Sequence, residues 1–424
     1  MTTERSSLPG PHDIFRGELS NGIVVLVRSH FHSPSVFLSG YFNGGSLFDP
    51  DEKLGLADFT STALMRGTQD RGFQQIYDTL ESAGASFGYN SGTRTVGLNG
   101  KSLAEDLPML LGIFAGTLRR PSFPAEQVEK LRAQLLTGLS IRAQDTASMA
   151  SMAFDQILFE GHPYARPDDG WPETIQAIDV DDLVAFHKHI YGPRGMVLAI
   201  VGAVEPQEAL SRVEEALGDW HNPDQPEVPN LPPLRKIDET VRCHHAIPGK
   251  SQSDLVIGVA GPERRAEDYM AASLGNSILG QFGLMGRIGD SVRERSGLAY
   301  YAYSSLNAGI GPGIWEVSAG VNPGNLQKAA DLIVDELRSF TEQGVSAEEL
   351  ADNQANYIGR LPLSMESNSG VAGALLNIER YDLGLDYYQR YPSIVNAVTP
   401  EAVRDTARKY IDPGRLVIAS AGPE

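Results

Sequence analysis

Arg293 and Tyr300 set a guanidinium and a phenol seven residues apart in the stretch Val292-Arg293-Glu294-Arg295-Ser296-Gly297-Leu298-Ala299-Tyr300. Both groups are hydrogen-bond donors suited to a carbonyl oxygen that gains negative charge during a reaction. The pattern alone equally supports a plainer account. In it, Arg293 and Arg295 complement a helix C-terminus ahead of Gly297, and Tyr300, Tyr301 and Tyr303 are strand residues. Just upstream, Gly280, Gly283 and Gly286 punctuate the stretch LGQFGLMGR at 279–287. Such glycines either let a ligand approach the backbone or make an ordinary loop-to-helix joint. Their spacing is not that of a nucleotide-binding fingerprint.

The histidines are poor ligand candidates. His187 and His189 lie two apart on a predicted helix and point to different faces. His244 and His245 are adjacent on a predicted strand and face opposite ways. His30 and His32 share a predicted strand face but have no third ligand in view, and His162 in a Gly-His-Pro turn reads as structural. Cys243 is the only cysteine, which excludes an internal disulfide and a thiolate metal site. A serine or cysteine hydrolase is not expected, because the G-x-S-x-G string of a nucleophile elbow is expected to be missing and Cys243 beside two histidines on a strand is weak evidence.

The elements that position these residues belong to a chain of 424 residues, with 54 acidic against 35 basic side chains and a net charge of −19. That balance argues against nucleic acid and anionic membrane as partners, since both call for a basic face. The longest apolar run, residues 195–204, is far shorter than the roughly 20 residues of a membrane span. The first ten residues lack an apolar stretch, so the expected location is cytoplasmic, with periplasmic the alternative. Residues 22–27 and 36–42 read as buried strands with a hairpin-like gap. Residues 54–65, 73–83 and 125–143 read as helices, the second ending on Gly84.

Prolines at 223, 226, 229, 232 and 233 mark a linker, placed at 223–236 between domains at 1–222 and 237–424. The two halves close alike. Pro193 and Pro413 lie about 220 residues apart, as do Gly202 and Gly422 at the ends of two apolar strands. Pro124-Ala125-Glu126 is likewise echoed by Ser346-Ala347-Glu348. An internal duplication of α+β domains is expected.

Residues 51–68, DEKLGLADFTSTALMRGT, resemble the metal-binding helix of the pitrilysin, insulin-degrading enzyme and mitochondrial processing peptidase family. The resemblance extends over the whole chain, including Gly161-His162-Pro163-Tyr164-Ala165-Arg166-Pro167 and the linker. In that family H-x-x-E-H holds zinc with two histidines on one helix face, and its glutamate polarises the bound water. Here Asp58 and Thr62 stand at the histidine positions, Ser61 at the glutamate base and Gly138 near the third ligand. No zinc site is expected in this chain.

The resemblance also implies that Arg293 and Tyr300 face substrate, that Gly280, Gly283 and Gly286 guide it, and that the subunit is bowl-shaped. The expected role is a non-catalytic, peptide-binding subunit of a heterodimeric zinc metallopeptidase, inactive alone. A zinc-bearing H-x-x-E-H sister subunit would be its partner, and peptides would pair in extended form with a sheet edge. The alternative is a scaffold subunit, like the core proteins of the respiratory cytochrome bc complex. Retention of the Arg293/Tyr300 pair separates the two.

Overall fold

The computed structural model describes residues 8–424. Strands β1 (Phe15–Glu18), β2 (Val24–Ser29), β3 (Ser35–Asn43), β4 (Ser86–Ser91), β5 (Thr95–Leu103) and β6 (Val197–Gly202) build a six-stranded sheet. Its order is β1-β2-β6-β3-β5-β4. Strands β7 (Val241–Ala246), β8 (Ser253–Gly261), β9 (Ala299–Asn307), β10 (Gly313–Val321) and β11 (Val417–Gly422) build a five-stranded sheet in the order β7-β11-β8-β10-β9. With β1 set aside, the two orders coincide strand for strand. The senses coincide too: β2 runs parallel to β6 and β7 to β11, and the remaining pairs are antiparallel. The duplication is therefore one of topology, and the α+β class holds.

The two predicted strands at 22–27 and 36–42 appear as β2 and β3, but they do not form a hairpin. Strand β6 lies between them and pairs with both. Every residue of β6 is buried, and so is every residue of β11. A strand without a polar face must sit inside a sheet that is covered on both sides.

Helices appear where the periodicity places them. The first runs Leu56–Ala63 and passes into a tighter turn at Leu64–Arg66, because Gly67 cannot continue it. Helix Phe73–Ser82 ends before Gly84, which takes the left-handed conformation at φ +59°. Helix Ala125–Arg142 has its counterpart in Ala347–Ser364. Residues 220–240 hold no helix or strand, in keeping with the proline-rich linker. Their start is tied down by Asn222, whose amide reaches the Tyr191 carbonyl at 2.8 Å, and by Gln225, which exchanges bonds of 3.0 Å with the Arg194 backbone. Among the described residues no helix is long and apolar enough to cross a membrane.

The compact units depart from the expected boundaries in one respect. One unit gathers residues up to 139, 166–230 and 361–389; the other gathers 140–165, 231–360 and 390–424. Each half of the chain thus contributes a segment to the unit built mainly by the other half. Helix Asn368–Tyr381 covers β6 and β3, while helix Thr146–Leu158 covers β11, β8 and β7. The second faces of the buried closing strands require this cover.

Helix Thr146–Leu158 is fastened at its first turn. The Asp145 carboxylate accepts from the Ser148 amide at 2.8 Å. Asp254 on β8 is only 2% exposed and has no ion-pair partner among the described residues. It accepts hydroxyl hydrogens from Thr146 and Tyr301, and the Gln252 amide at 3.0 Å. We expect Thr146→Val, which keeps the side-chain shape but removes one donor from a buried carboxylate, to cost about 1–3 kcal/mol. Urea unfolding followed by tryptophan fluorescence measures this; a loss below about 0.5 kcal/mol would show that water replaces the hydroxyl.

Candidate functional site

The helix Leu56–Ala63 carries the degenerate positions. Its N-terminus is held by Asp49, which is 4% exposed and accepts the Gly55 amide at 2.9 Å and the Ala57 amide at 2.8 Å. A carboxylate there satisfies donors that the helix leaves unpaired. Burial still pushes the Asp49 carboxyl up to about 7, against the pull of these two amides and of Arg166. The Arg166 guanidinium reaches the Asp49 carbonyl at 3.2 Å, the Ser46 carbonyl at 3.2 Å and the Asp51 carboxylate at 3.1 Å. Asp168 accepts hydroxyls from Ser46 and from Thr93, the latter at 3.0 Å. These anchors were not legible in the sequence beyond the resemblance of residues 161–167.

Asp58, Ser61 and Thr62 share one side of this helix, as residues three and four apart must. Their chemistry does not fit zinc. Ser61 is buried, and its hydroxyl donates back to the Asp58 carbonyl at 3.0 Å. Asp58 is half-buried, and burial together with Asp169 and Asp168 raises its carboxyl to about 6. Thr62 offers only a hydroxyl. Gly138 on helix Ala125–Arg142 is exposed and offers no donor atom from a side chain. Among the described residues no group of three or more His, Cys, Asp and Glu side chains is placed to hold a metal ion.

The histidines have structural surroundings. His187 sits against the Leu118 carbonyl at 2.6 Å, and burial lowers its pKa. His162 is 4% exposed and packs on Phe159 and Tyr164; its Nδ1 accepts the Tyr164 amide at 3.1 Å, and burial holds its pKa down. His30 and His32 do not share a strand face. They lie in the turn between β2 and β3 with ring centroids 5.0 Å apart, because β2 ends at Ser29. The string G-x-S-x-G, expected to be missing, does occur at residues 84–88. There the chain passes from helix to strand, the reverse of a nucleophile elbow, and Ser86 is the exposed first residue of β4.

The second candidate region lies on the five-stranded sheet. Arg293 is near the C-terminal end of a π-helical turn, Gly289–Arg295, and its nearest carboxylate is Glu294 at 3.7 Å. Arg295 pairs with Asp290 at 2.8 Å within the same turn. Tyr300 stands on β9, the sheet's edge strand, and is 64% exposed. The register with β10 passes from Gly320 opposite Tyr301 to Val321 opposite Ala299. Tyr300 is therefore the extra residue of a bulge, a feature that re-aims a side chain away from the ladder. Its neighbour Tyr301 is fixed by the bond to Asp254, and burial raises the Tyr301 pKa.

The glycine-rich stretch packs against this edge. A Cβ on Gly280 would stand 2.1 Å from the Ser304 amide nitrogen of β9, and one on Gly286 would stand 2.5 Å from the Ile278 carbonyl. These two glycines are needed for close backbone packing. Gly283 instead sits in the open at φ +65° between exposed Phe282 and Leu284, the latter 68% exposed. The far end is fixed by Arg287, which makes a two-pronged pair with Glu349 at 2.8 and 2.7 Å. That pair, with the Ser346 amide, holds the Glu349 carboxyl down at about 2. The result is a firmly anchored loop that presents apolar side chains beside an edge strand carrying Tyr300 and Tyr303.

Comparison with known proteins gives two family matches. Residues 24–167 match the model described as insulinase (peptidase family M16), and residues 177–357 match the model described as peptidase M16 inactive domain. An uncharacterized zinc protease of Streptomyces coelicolor is 25% identical over 97% of this chain and 87% of its own length. A non-peptidase homolog of Helicobacter pylori is 22% identical over 94% of this chain and 91% of its length. The crystal structure of a peptidase M16 inactive domain from Pseudomonas fluorescens superposes with a TM-score of 0.89 at 27% identity, covering 97% of this chain and 98% of that one.

Two outcomes are expected at the degenerate helix. Elemental analysis of the chain purified alone should find no stoichiometric zinc, and one tightly held zinc per chain would overturn the reading of its donors. The second concerns pH. Asp58 keeps its proton in the folded chain up to about pH 6, whereas the unfolded chain releases it near the usual 3.8. Stability from this group is therefore present below pH 3.8, falls as pH rises between the two values, and is lost above the folded one. Asp58→Asn should raise stability by about 1–3 kcal/mol at pH 8 and change it little near pH 4. Denaturant midpoints at the two pH values check this.

Proposed function

The chain belongs to the M16 peptidase family, and on that premise we propose that it is a non-catalytic, peptide-binding subunit of a heterodimeric zinc metallopeptidase. The observation that carries the reading is the contrast between its two candidate regions. Every position that would bind or use zinc has lost its chemistry, while the bulged Tyr300 is exposed and the half-buried Arg293 has only the loose contact with Glu294 at 3.7 Å as an ion pair among the described residues. The zinc and the glutamate base are assigned to an H-x-x-E-H sister subunit. This chain contributes its guanidinium and phenol to the peptide carbonyl, where a fixed donor is worth most when negative charge develops. Exposed Phe282, Leu284 and Tyr303 beside the edge of β9 suit an extended peptide, which gains backbone hydrogen bonds from an unpaired strand and apolar contact from the loop.

The name of the Helicobacter pylori relative supports the coarser part of this reading, a family member without peptidase chemistry. A purely structural subunit is the competing reading, and one set of variants separates the two. Tyr300→Phe and Arg293→Ala should leave folding and partner binding intact while lowering kcat of the reconstituted complex about 10²–10³-fold. Arg295→Ala, whose side chain is occupied by Asp290, should change turnover little. An equal fall in kcat and kcat/KM assigns the pair to the transition state, and a rise in KM alone assigns it to substrate anchoring. Full activity in both variants within an intact complex would leave the structural reading in place.

A further inference from the structure

Among the described residues the two sheets differ at one edge, where one has a strand that the other lacks. In the six-stranded sheet, β2 does not lie at the edge: β1 covers it antiparallel, with Phe15, Arg16 and Gly17 opposite Val27, Leu26 and Val25. In the five-stranded sheet the equivalent strand, β7, is the edge itself. The register makes the equivalence definite, since Leu26 pairs with Ala199 of β6 and Cys243 pairs with Ala419 of β11. The amides of Val241 and Ile247 point to β11, at 2.9 Å from the Leu416 carbonyl and 2.6 Å from the Gly422 carbonyl. By alternation, the N–H and C=O groups of Arg242, His244 and Ala246 point outward, and all three residues are exposed. Proteins normally cover or blunt such an edge.

Beside this edge lies a groove of about 550 Å³, floored by Cys243 and Val241 and walled by Ile157, Ala153 and Ile237. The wall comes from helix Thr146–Leu158, the counterpart of helix Asn368–Tyr381. In the other sheet the strand that covers β2 sends a side chain across to that helix: Arg16 meets Glu379 at 3.0 and 2.7 Å. At the corresponding place here Cys243 faces Ala153 and Ile157, and the polar groups of the groove, Gln156 and the paired Arg235 and Glu160, lie along its wall. The opposite side of the edge is reversed in the same sense. Val25 and Val27 are fully buried and pack with the partly buried Phe15, whereas β7 has Arg242 and His244 at those register positions. Arg242 and Lys236 form no ion pair among the described residues, and Arg235 is taken up by Glu160.

We propose that the free edge of β7 is a docking site for an extended segment of a partner polypeptide. The segment adds antiparallel, with an apolar residue opposite Cys243 in the groove and an acidic residue beside it facing Arg242; His244, whose ring nitrogens meet the Ser420 hydroxyl at 2.9 Å and the Pro423 carbonyl at 3.0 Å, is already partnered. The internal repeat supplies the geometry, and the side chains of β7 supply the sequence preference. A second copy of this chain fits less well, because edge-to-edge pairing would bring the Arg242 and His244 side chains of two copies together on one rim. The site lies at the opposite edge of the sheet from Tyr300 and does not depend on the subunit role proposed above.

Cys243, as the only cysteine, reports occupancy directly. The probe is the pentapeptide acetyl-Val-Glu-Leu-Glu-Val-amide, added to the full chain while the reaction of Cys243 with an aromatic disulfide reagent is timed. Expected is saturable protection that slows labelling by a factor of 1 + [peptide]/Kd, about tenfold when peptide exceeds Kd ninefold. N-methylation of the peptide amides that would bond β7 should abolish protection. Arg242→Glu should weaken the Glu peptide and strengthen its Lys-for-Glu counterpart, a reversal that general damage to folding cannot produce. Lack of saturable protection in the folded chain, or equal protection by the N-methylated peptide, would overturn the proposal. So would concentration-dependent self-protection of Cys243 accompanied by dimer formation, since a second copy would then own the edge.

Discussion

Everything in this fold follows from the need to bury two strands on both faces. β6 and β11 have no polar side in their sequence, and each is buried at every position. One face of each is covered by helices from its own half of the chain. The other face is covered by a helix from the opposite half, Asn368–Tyr381 on β6 and Thr146–Leu158 on β11. The first residues of those helices are tied to the sheet by polar contacts: Thr146 to Asp254, and the Asn368 amide to the Ser35 carbonyl at 3.4 Å. Neither half of the chain would bury its own sheet alone, because an uncovered closing strand would leave a continuous apolar stripe in water.

Within that frame the two candidate regions have separate fates. The helix Leu56–Ala63 keeps its position because its anchors are independent of any metal ligand. Asp49 holds its first turn, and Arg166 and Asp168 bind the neighbouring loop to it. Loss of ligand chemistry at Asp58, Ser61 and Thr62 therefore left the backbone intact. The region around β9 is built the other way. Arg287 and Glu349 secure the loop, Tyr301 is bonded to Asp254, and these fixtures leave Tyr300, Phe282 and Leu284 facing solvent. Exposed aromatic and apolar groups on rigid supports are costly unless something binds them.

The duplication also shows how two copies of one topology can carry different edges. β2 is protected by β1, and its face residues are apolar to match Phe15. β7 carries Arg242 and His244 at the matching positions and, among the described residues, has no covering strand. The polarity of the edge changed along with its exposure, as expected where charge discourages indiscriminate strand pairing.

Several features were legible from residue type and local spacing alone. Apolar periodicity located helices Leu56–Ala63, Phe73–Ser82 and Ala125–Arg142, and left-handed Gly84 marked the end of the second. Five prolines marked the linker, and the recurrence of Pro193 and Gly202 at Pro413 and Gly422 marked the duplication. The assignment of Asp58, Ser61 and Thr62 to the family's H-x-x-E-H positions came through the resemblance rather than through spacing. Other features were decided only by contacts between residues far apart in the chain. The strands at 22–27 and 36–42 looked like a hairpin until β6, more than 150 residues later, separated them. The exchange of covering helices, the burial of Asp49 beneath Arg166, the bulge that frees Tyr300 and the bare edge of β7 belong to the same class. Local patterns show which faces of an element must be buried, but only long-range packing determines what buries them.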